Sequence, residues 1–180
     1  MFGEMIMGKS LTELYPALAA EWSERNLPIM PDQVTYGSNK QYWWHGKCGH
    51  EWLTSIKART SGEKCPYCSG KRVLIGFNDL GTAAPALAEE WSDKNTDISP
   101  QDVTAGSHKK VWWRGKCGHE WQAVVKNRVG GADCPYCSSN RILPGFNDLA
   151  TVYPEVAAEW SDRNLPLKPE DVAPFANRKA

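Results

Sequence analysis

The chain has 180 residues, 41% of them apolar and 11% aromatic, and its 21 basic and 21 acidic side chains leave no formal net charge. It contains no run of about 20 apolar residues, which excludes a membrane-spanning helix, and Met1-Phe2-Gly3-Glu4-Met5 carries an acid early and lacks a signal-peptide core. A neutral chain is also a poor candidate for tight, indiscriminate binding to nucleic acid along its whole length.

From the N-terminus, Ser10-Leu11-Thr12-Glu13 has the form of a capping box and predicts a helix start. Pro16 suits the first turn of a second short helix. Tyr15, Leu18, Ala19 and Trp22 fall at i, i+3, i+4 and i+7, the spacing of one apolar helical face. A proline-punctuated link from Asn26 to Val34 should end that helix. Gln41–His45 reads as a strand, Gly46–His50 as a tight metal-binding turn, and Trp52–Ile56 as a returning strand, so the turn sits at the tip of a hairpin. A further short strand is expected over Arg72-Val73-Leu74.

The pattern then recurs with an offset of 69 residues. Ala84, Leu87, Ala88 and Trp91 repeat the apolar face, as do Tyr153, Val156, Ala157 and Trp160, with Asn78-Asp79 and Asn147-Asp148 as candidate caps. Val111–Arg114 repeats the first strand and Arg141-Ile142-Leu143 the last one. The third copy aligns Val172–Lys179 with Val103–Lys110 and stops before its Trp-Trp pair. The expected fold class is α+β, with tandem small β-hairpin modules separated by short helical units. The expected domains are an N-terminal helical unit (1–35), a first hairpin module (36–76), a helical spacer (77–104), a second hairpin module (105–145) and a truncated helical third repeat (146–180).

All six cysteines fall in the repeat as C-x-H-x14-C-x2-C: Cys48, His50, Cys65, Cys68, then Cys117, His119, Cys134, Cys137. Three thiols and one imidazole make a closed tetrahedral zinc site, so two structural Zn2+ ions are expected. Comparing the copies separates ligands from bystanders, because His45 matches Arg114 and His108 matches Asn39. A 69-residue unit is small enough to need such a staple. Metal use of cysteine and the lack of a leader point to a reducing, cytoplasmic location.

The Trp-Trp pair, Gly-His-Glu-Trp, Lys-x-Arg and Cys-Pro-Tyr-Cys resemble the probable zinc-ribbon, treble-clef-like family, whose domains occur in tandem in bacterial, phage and large-virus proteins. Some members are joined to endonuclease domains resembling very-short-patch repair nucleases. The resemblance implies zinc at the same eight ligands. Many members carry two residues between the first Cys and Gly-His, whereas Cys48 and Cys117 directly precede theirs, which makes this ligand turn tight.

Rival chemistries fit less well. A dithiol redox role for Cys-Pro-Tyr-Cys leaves the Cys-Gly-His upstream unexplained. A catalytic zinc keeps an open position, but four ligands fill this shell. His50-Glu51 does not extend to H-E-x-x-H, because Thr54 and Ala123 stand where the second His belongs. The chain is therefore expected not to be an enzyme.

Charge suggests what the modules touch. Residues 36–75 and 105–144 each carry seven basic and two acidic side chains, or +5 apiece, and the remainder carries −10. Lys47, Lys57, Arg59 and Arg72, with Lys116, Lys126, Arg128 and Arg141, are basic in both copies and are the expected phosphate contacts; Arg59 and Arg128 have a second reading, as partners of a local carboxylate such as Glu51 or Glu120. Trp43 and Trp44 are either core or stacking faces for unpaired bases. The expected partner is nucleic acid, DNA ahead of RNA. The alternatives are a scaffold for a protein partner and an accessory domain of a larger nuclease system.

Overall fold

The computed structural model describes residues 9–176. The N-terminal octet and the last four residues, on which the leader reading and the end of the third-copy alignment fall, lie outside the described residues. The chain divides between Leu74 and Ile75 into two compact units. Each holds a helical segment together with the zinc module that follows it; the second also holds the third helical segment.

In the first unit the capping box forms as expected. Ser10 Oγ accepts from the Glu13 N–H at 3.2 Å, and the Glu13 carboxylate accepts from the Ser10 N–H at 2.8 Å. This opens α1 (Leu11–Leu14), and Pro16 opens α2 (Pro16–Ala19). The expected long apolar face is a correction: α2 ends after one turn, and Trp22 lies beyond it. Residues 21–23 run instead along the hairpin, where Glu21 O accepts from the His45 N–H at 2.8 Å and the Ser23 N–H donates to Trp43 O at 3.2 Å. Asn26 completes this cover, its side-chain amide donating to Trp43 O and accepting from the Trp43 N–H. Pairing here satisfies backbone groups on the edge of β1, the His45 N–H and the Trp43 carbonyl, that a further helical turn would leave without these partners, so the helix yields.

The hairpin is β1 (Gln41–His45) against β2 (Glu51–Ser55), antiparallel, with Trp44 opposite Trp52. Strand β2 begins and ends one residue earlier than expected, because the Ser55 hydroxyl accepts from the Ala58 N–H at 3.1 Å and caps α3 (Ile56–Thr60). That helix had no periodic signal in the sequence; it is one turn made by its cap. The core comprises Leu11, Val34, Trp44, Trp52, Ile56 and Cys65, with Tyr15, Leu18, Trp22, Tyr42 and Tyr67 packed against it. Burying about 200 Å2 of an indole at ~25 cal/mol per Å2 contributes about 5 kcal/mol, so Trp44 and Trp52 dominate this small core.

The second unit repeats the design. It contains α4 (Leu80–Ala83), α5 (Pro85–Ala88), β3 (Lys110–Arg114), β4 (Glu120–Val124) and α6 (Val125–Val129). Its core is Leu80, Val103, Val111, Trp113, Trp121, Val125 and Cys134. Asp79 caps α4 by accepting from the Thr82 N–H, and Asp148 caps α7 (Leu149–Val152), which precedes α8 (Pro154–Ala157). Asn147 is not a cap. Its side-chain N–H donates to the carbonyls of Tyr136 and Arg141, and its oxygen accepts from the Leu143 N–H, so it ties the third helical segment to the second zinc module. The third segment reproduces the earlier geometry, with the Leu149 N–H donating to Val172 O at 2.8 Å and the Trp160 indole to Leu167 O at 3.1 Å. The expected strands at 72–74 and 141–143 do not form: each segment is a bend followed by two residues without regular structure, and the Arg141 N–H closes the ligand turn onto Pro135 O.

Candidate metal centre

Each site draws two ligands from the hairpin tip and two from the turn after the short helix. At the tip, the Gly46 N–H donates to His50 O at 3.0 Å, and Gly49 takes a φ of +80° to turn the chain within so few residues. Gly46 is required for a different reason: a Cβ there would lie 2.8 Å from the Trp52 ring and 3.2 Å from Cys48 Sγ. Gly115 and Gly118 repeat both features. In the second ligand turn, the Ser69 N–H donates to Cys65 O and the Arg72 N–H to Pro66 O. These bonds hold Cys65 and Cys68 on one side of the loop.

The eight predicted ligands come together as two clusters, in each of which the ligand atoms all lie within 4.8 Å of one another. His50 Nδ1 is 3.6 Å from Cys65 Sγ and 3.4 Å from Cys68 Sγ, and His119 Nδ1 is 3.6 and 3.5 Å from Cys134 and Cys137 Sγ. A tetrahedral zinc with bonds of about 2.3 Å to sulfur and about 2.05 Å to nitrogen has an N···S edge of about 3.6 Å. The donor set and its spacing therefore fit Zn2+, held by three thiolates and a histidine through Nδ1. The imidazoles are steadied by ring contacts, His50 against Tyr67, and His119 against Tyr136 and Phe146, the latter at 4.4 Å.

The thiols are poised for a cation. A hydrogen bond from the His50 backbone lowers Cys48 to about 7, and the His119 backbone does the same for Cys117. Desolvation, with hydrogen bonds to the neighbouring thiols, pushes Cys68 and Cys137 up to about 11. Three crowded sulfurs do not ionise together without a positive charge among them, and a divalent ion supplies it.

The eight basic residues do not share one environment. Lys47, Lys57, Arg72, Lys116, Lys126 and Arg141 are exposed. Arg59 and Arg128 are 7% and 6% exposed, and their assignment as phosphate contacts is corrected. Arg59 donates to the Glu63 carbonyl and to the Glu21 carboxylate, with its guanidinium 5.2 and 5.1 Å from the ring centres of Trp44 and Trp52. Arg128 does the same with Ala132, Glu90, Trp113 and Trp121. A planar, permanently charged fork suits a carboxylate and an aromatic slot at once. The partner of each arginine is the glutamate of the preceding helical segment, not Glu51 or Glu120.

Those two glutamates have their own partners. Glu51 accepts from Ser23 at 2.6 Å. Glu120 pairs with Lys94 and accepts from Ser92 at 2.7 Å, and these, Lys94 foremost, hold its carboxyl at about 2. The indoles also divide: Trp44 is fully buried, whereas Trp43 is half-buried with the Arg25 guanidinium 3.5 Å above its ring. Among the described residues, no helix is long and apolar enough to cross a membrane.

Residues 18–71 and 87–140 each match the model of a family described as a probable treble-clef zinc finger domain. No curated protein matches the chain.

Proposed function

Because this chain belongs to the probable treble-clef zinc finger family, with two zinc-binding modules in tandem, we propose that it binds nucleic acid, DNA ahead of RNA, through the outer surfaces of those modules. The observation that carries this reading is the recurrence of Lys47, Lys57 and Arg72 as exposed Lys116, Lys126 and Arg141 on a second rigid scaffold. Cations held at fixed spacing meet phosphates, while the acidic helical segments repel them and confine contact to the modules. Trp44 lies in the core and Trp43 has Arg25 over one face, which leaves less indole surface for unpaired bases and favours a duplex. Zinc is structural in this reading and the chain is not an enzyme: the four ligands complete a tetrahedral shell, with no position for a reacting water.

The test is fluorescence anisotropy of the zinc-loaded chain on duplex DNA, single-stranded DNA and RNA over a salt series. Six phosphate contacts give a log–log salt slope of about −5, and Lys47→Ala, Lys57→Ala, Lys116→Ala and Lys126→Ala together should reduce its size by about 3 to 4. Absence of binding at low salt would remove the nucleic-acid reading.

A further inference from the structure

The two modules differ beside the returning strand of the hairpin. In the first, the Thr54 hydroxyl donates to the Glu63 carboxylate at 2.7 Å, bridging β2 to the segment before the second ligand turn. In the second, the equivalent residues are Ala123 and Ala132, and no bridge is possible. A groove of about 360 Å3 lies there, lined by Gln122, Ala123 and Val124 of β4 on one side and by Ala132, Asp133 and Pro135 on the other.

The strand that forms one wall has an open edge. Sheet β3–β4 has only two strands. Both the N–H and the C=O of Trp112 bond to the Asn95 side chain, so they face away from β4. Trp112 is opposite Gln122. In an antiparallel pair, such a position turns the backbone groups of both residues outward. Gln122 therefore presents one donor and one acceptor to the groove, the pair that a peptide strand completes. The other edge of the sheet is covered, with the Ser92 N–H and the Glu90 carbonyl bonded to β3.

The groove also carries charge. Lys110 and Arg141 line it, each exposed and without an ion pair among the described residues, and only Asp133 opposes them. Gln41 stands at the Lys110 position of the first module. We propose that the open edge of β4 is a docking site for an extended, acidic peptide segment, which adds as a third strand to the second module alone. Backbone pairing at Gln122 supplies the binding mode, the cations select acidic side chains, and the absence of the Thr–Glu bridge admits the strand. A single nucleic-acid strand fits less well, because it would leave the backbone donor–acceptor pair unmatched.

The probe is a fluorescein-labelled octapeptide of alternating Glu and Val, titrated against the zinc-loaded full chain at physiological salt. The plugged variant Ala123→Thr/Ala132→Glu imports the first module's own residues, so its zinc content and circular dichroism should be unchanged. Binding should fall at least tenfold in that variant, several-fold in Lys110→Gln, and at least tenfold for the same peptide N-methylated at alternate amides. In 15N spectra the Gln122 amide should shift. Lys110→Gln and the methylated peptide keep the test decisive if the plugged variant folds poorly. The proposal is overturned if binding is absent, indifferent to N-methylation, or unchanged by both variants, or if an oligothymidine of similar length occupies the groove in place of the peptide.

Discussion

Arg59→Ala separates a structural arginine from a nucleic-acid contact. The substitution leaves Glu21, whose side chain is 17% exposed, without its partner, and the Glu63 carbonyl without a donor. It also opens a gap between Trp44 and Trp52. Removing one member of a buried pair costs about 3 to 5 kcal/mol, most of it the stranded charge. Each kcal/mol moves the melting midpoint of a unit of this size by about 4 to 8 °C, so the first unit should melt at least 12 °C lower. The assay is thermal unfolding of the full chain at saturating zinc, followed by amide signals assigned to residues 9–74, with those of the second unit as internal reference. Glu21→Gln/Arg59→Ala should recover part of the loss, because no charge is then left stranded. The reasoning fails if Arg59→Ala stays within about 0.5 kcal/mol of the parent, as surface substitutions do, while nucleic-acid affinity drops.

Three further outcomes follow from the same geometry. Cys65→Ser should lower bound zinc from two ions per chain to one, measured by chelator competition, and should unfold the first unit while leaving the second; chelation of both ions should abolish the native circular dichroism of both modules, since structural zinc binding is coupled to folding. Gly46→Ala places a Cβ against the Trp52 ring and should cost about 1 to 3 kcal/mol in denaturant titration, whereas Gly37→Ala, with nothing within 4 Å, should be nearly neutral. The depressed Glu120 carboxyl makes a stability contribution that is complete above its ordinary pKa of 4.5 and is lost as pH falls towards about 2. Glu120→Gln should therefore reduce stability at neutral pH and flatten the acid limb of the second unit, and an acid limb identical to the parent's would contradict this.

Those features that depend on neighbours in sequence were legible in the sequence. The metal ligands, the 69-residue period, the hairpin strands, the capping box at Ser10 and the Pro16 start are encoded in local spacing, and zinc coordination or a single cap bond realises each of them. Periodicity misled where long-range pairing outweighed local propensity, as at Trp22, drawn out of its helix to the edge of β1. Tertiary structure alone decided the remaining features. Arg59 lies 38 residues from Glu21, and no local pattern separates a cation bound for a buried carboxylate from one left in solvent. The ties of Asn147 to Tyr136 and Arg141, and the groove beside β4, likewise exist only because segments distant in sequence fold against one another. Local chemistry chose the metal, and packing determined which charges stayed at the surface.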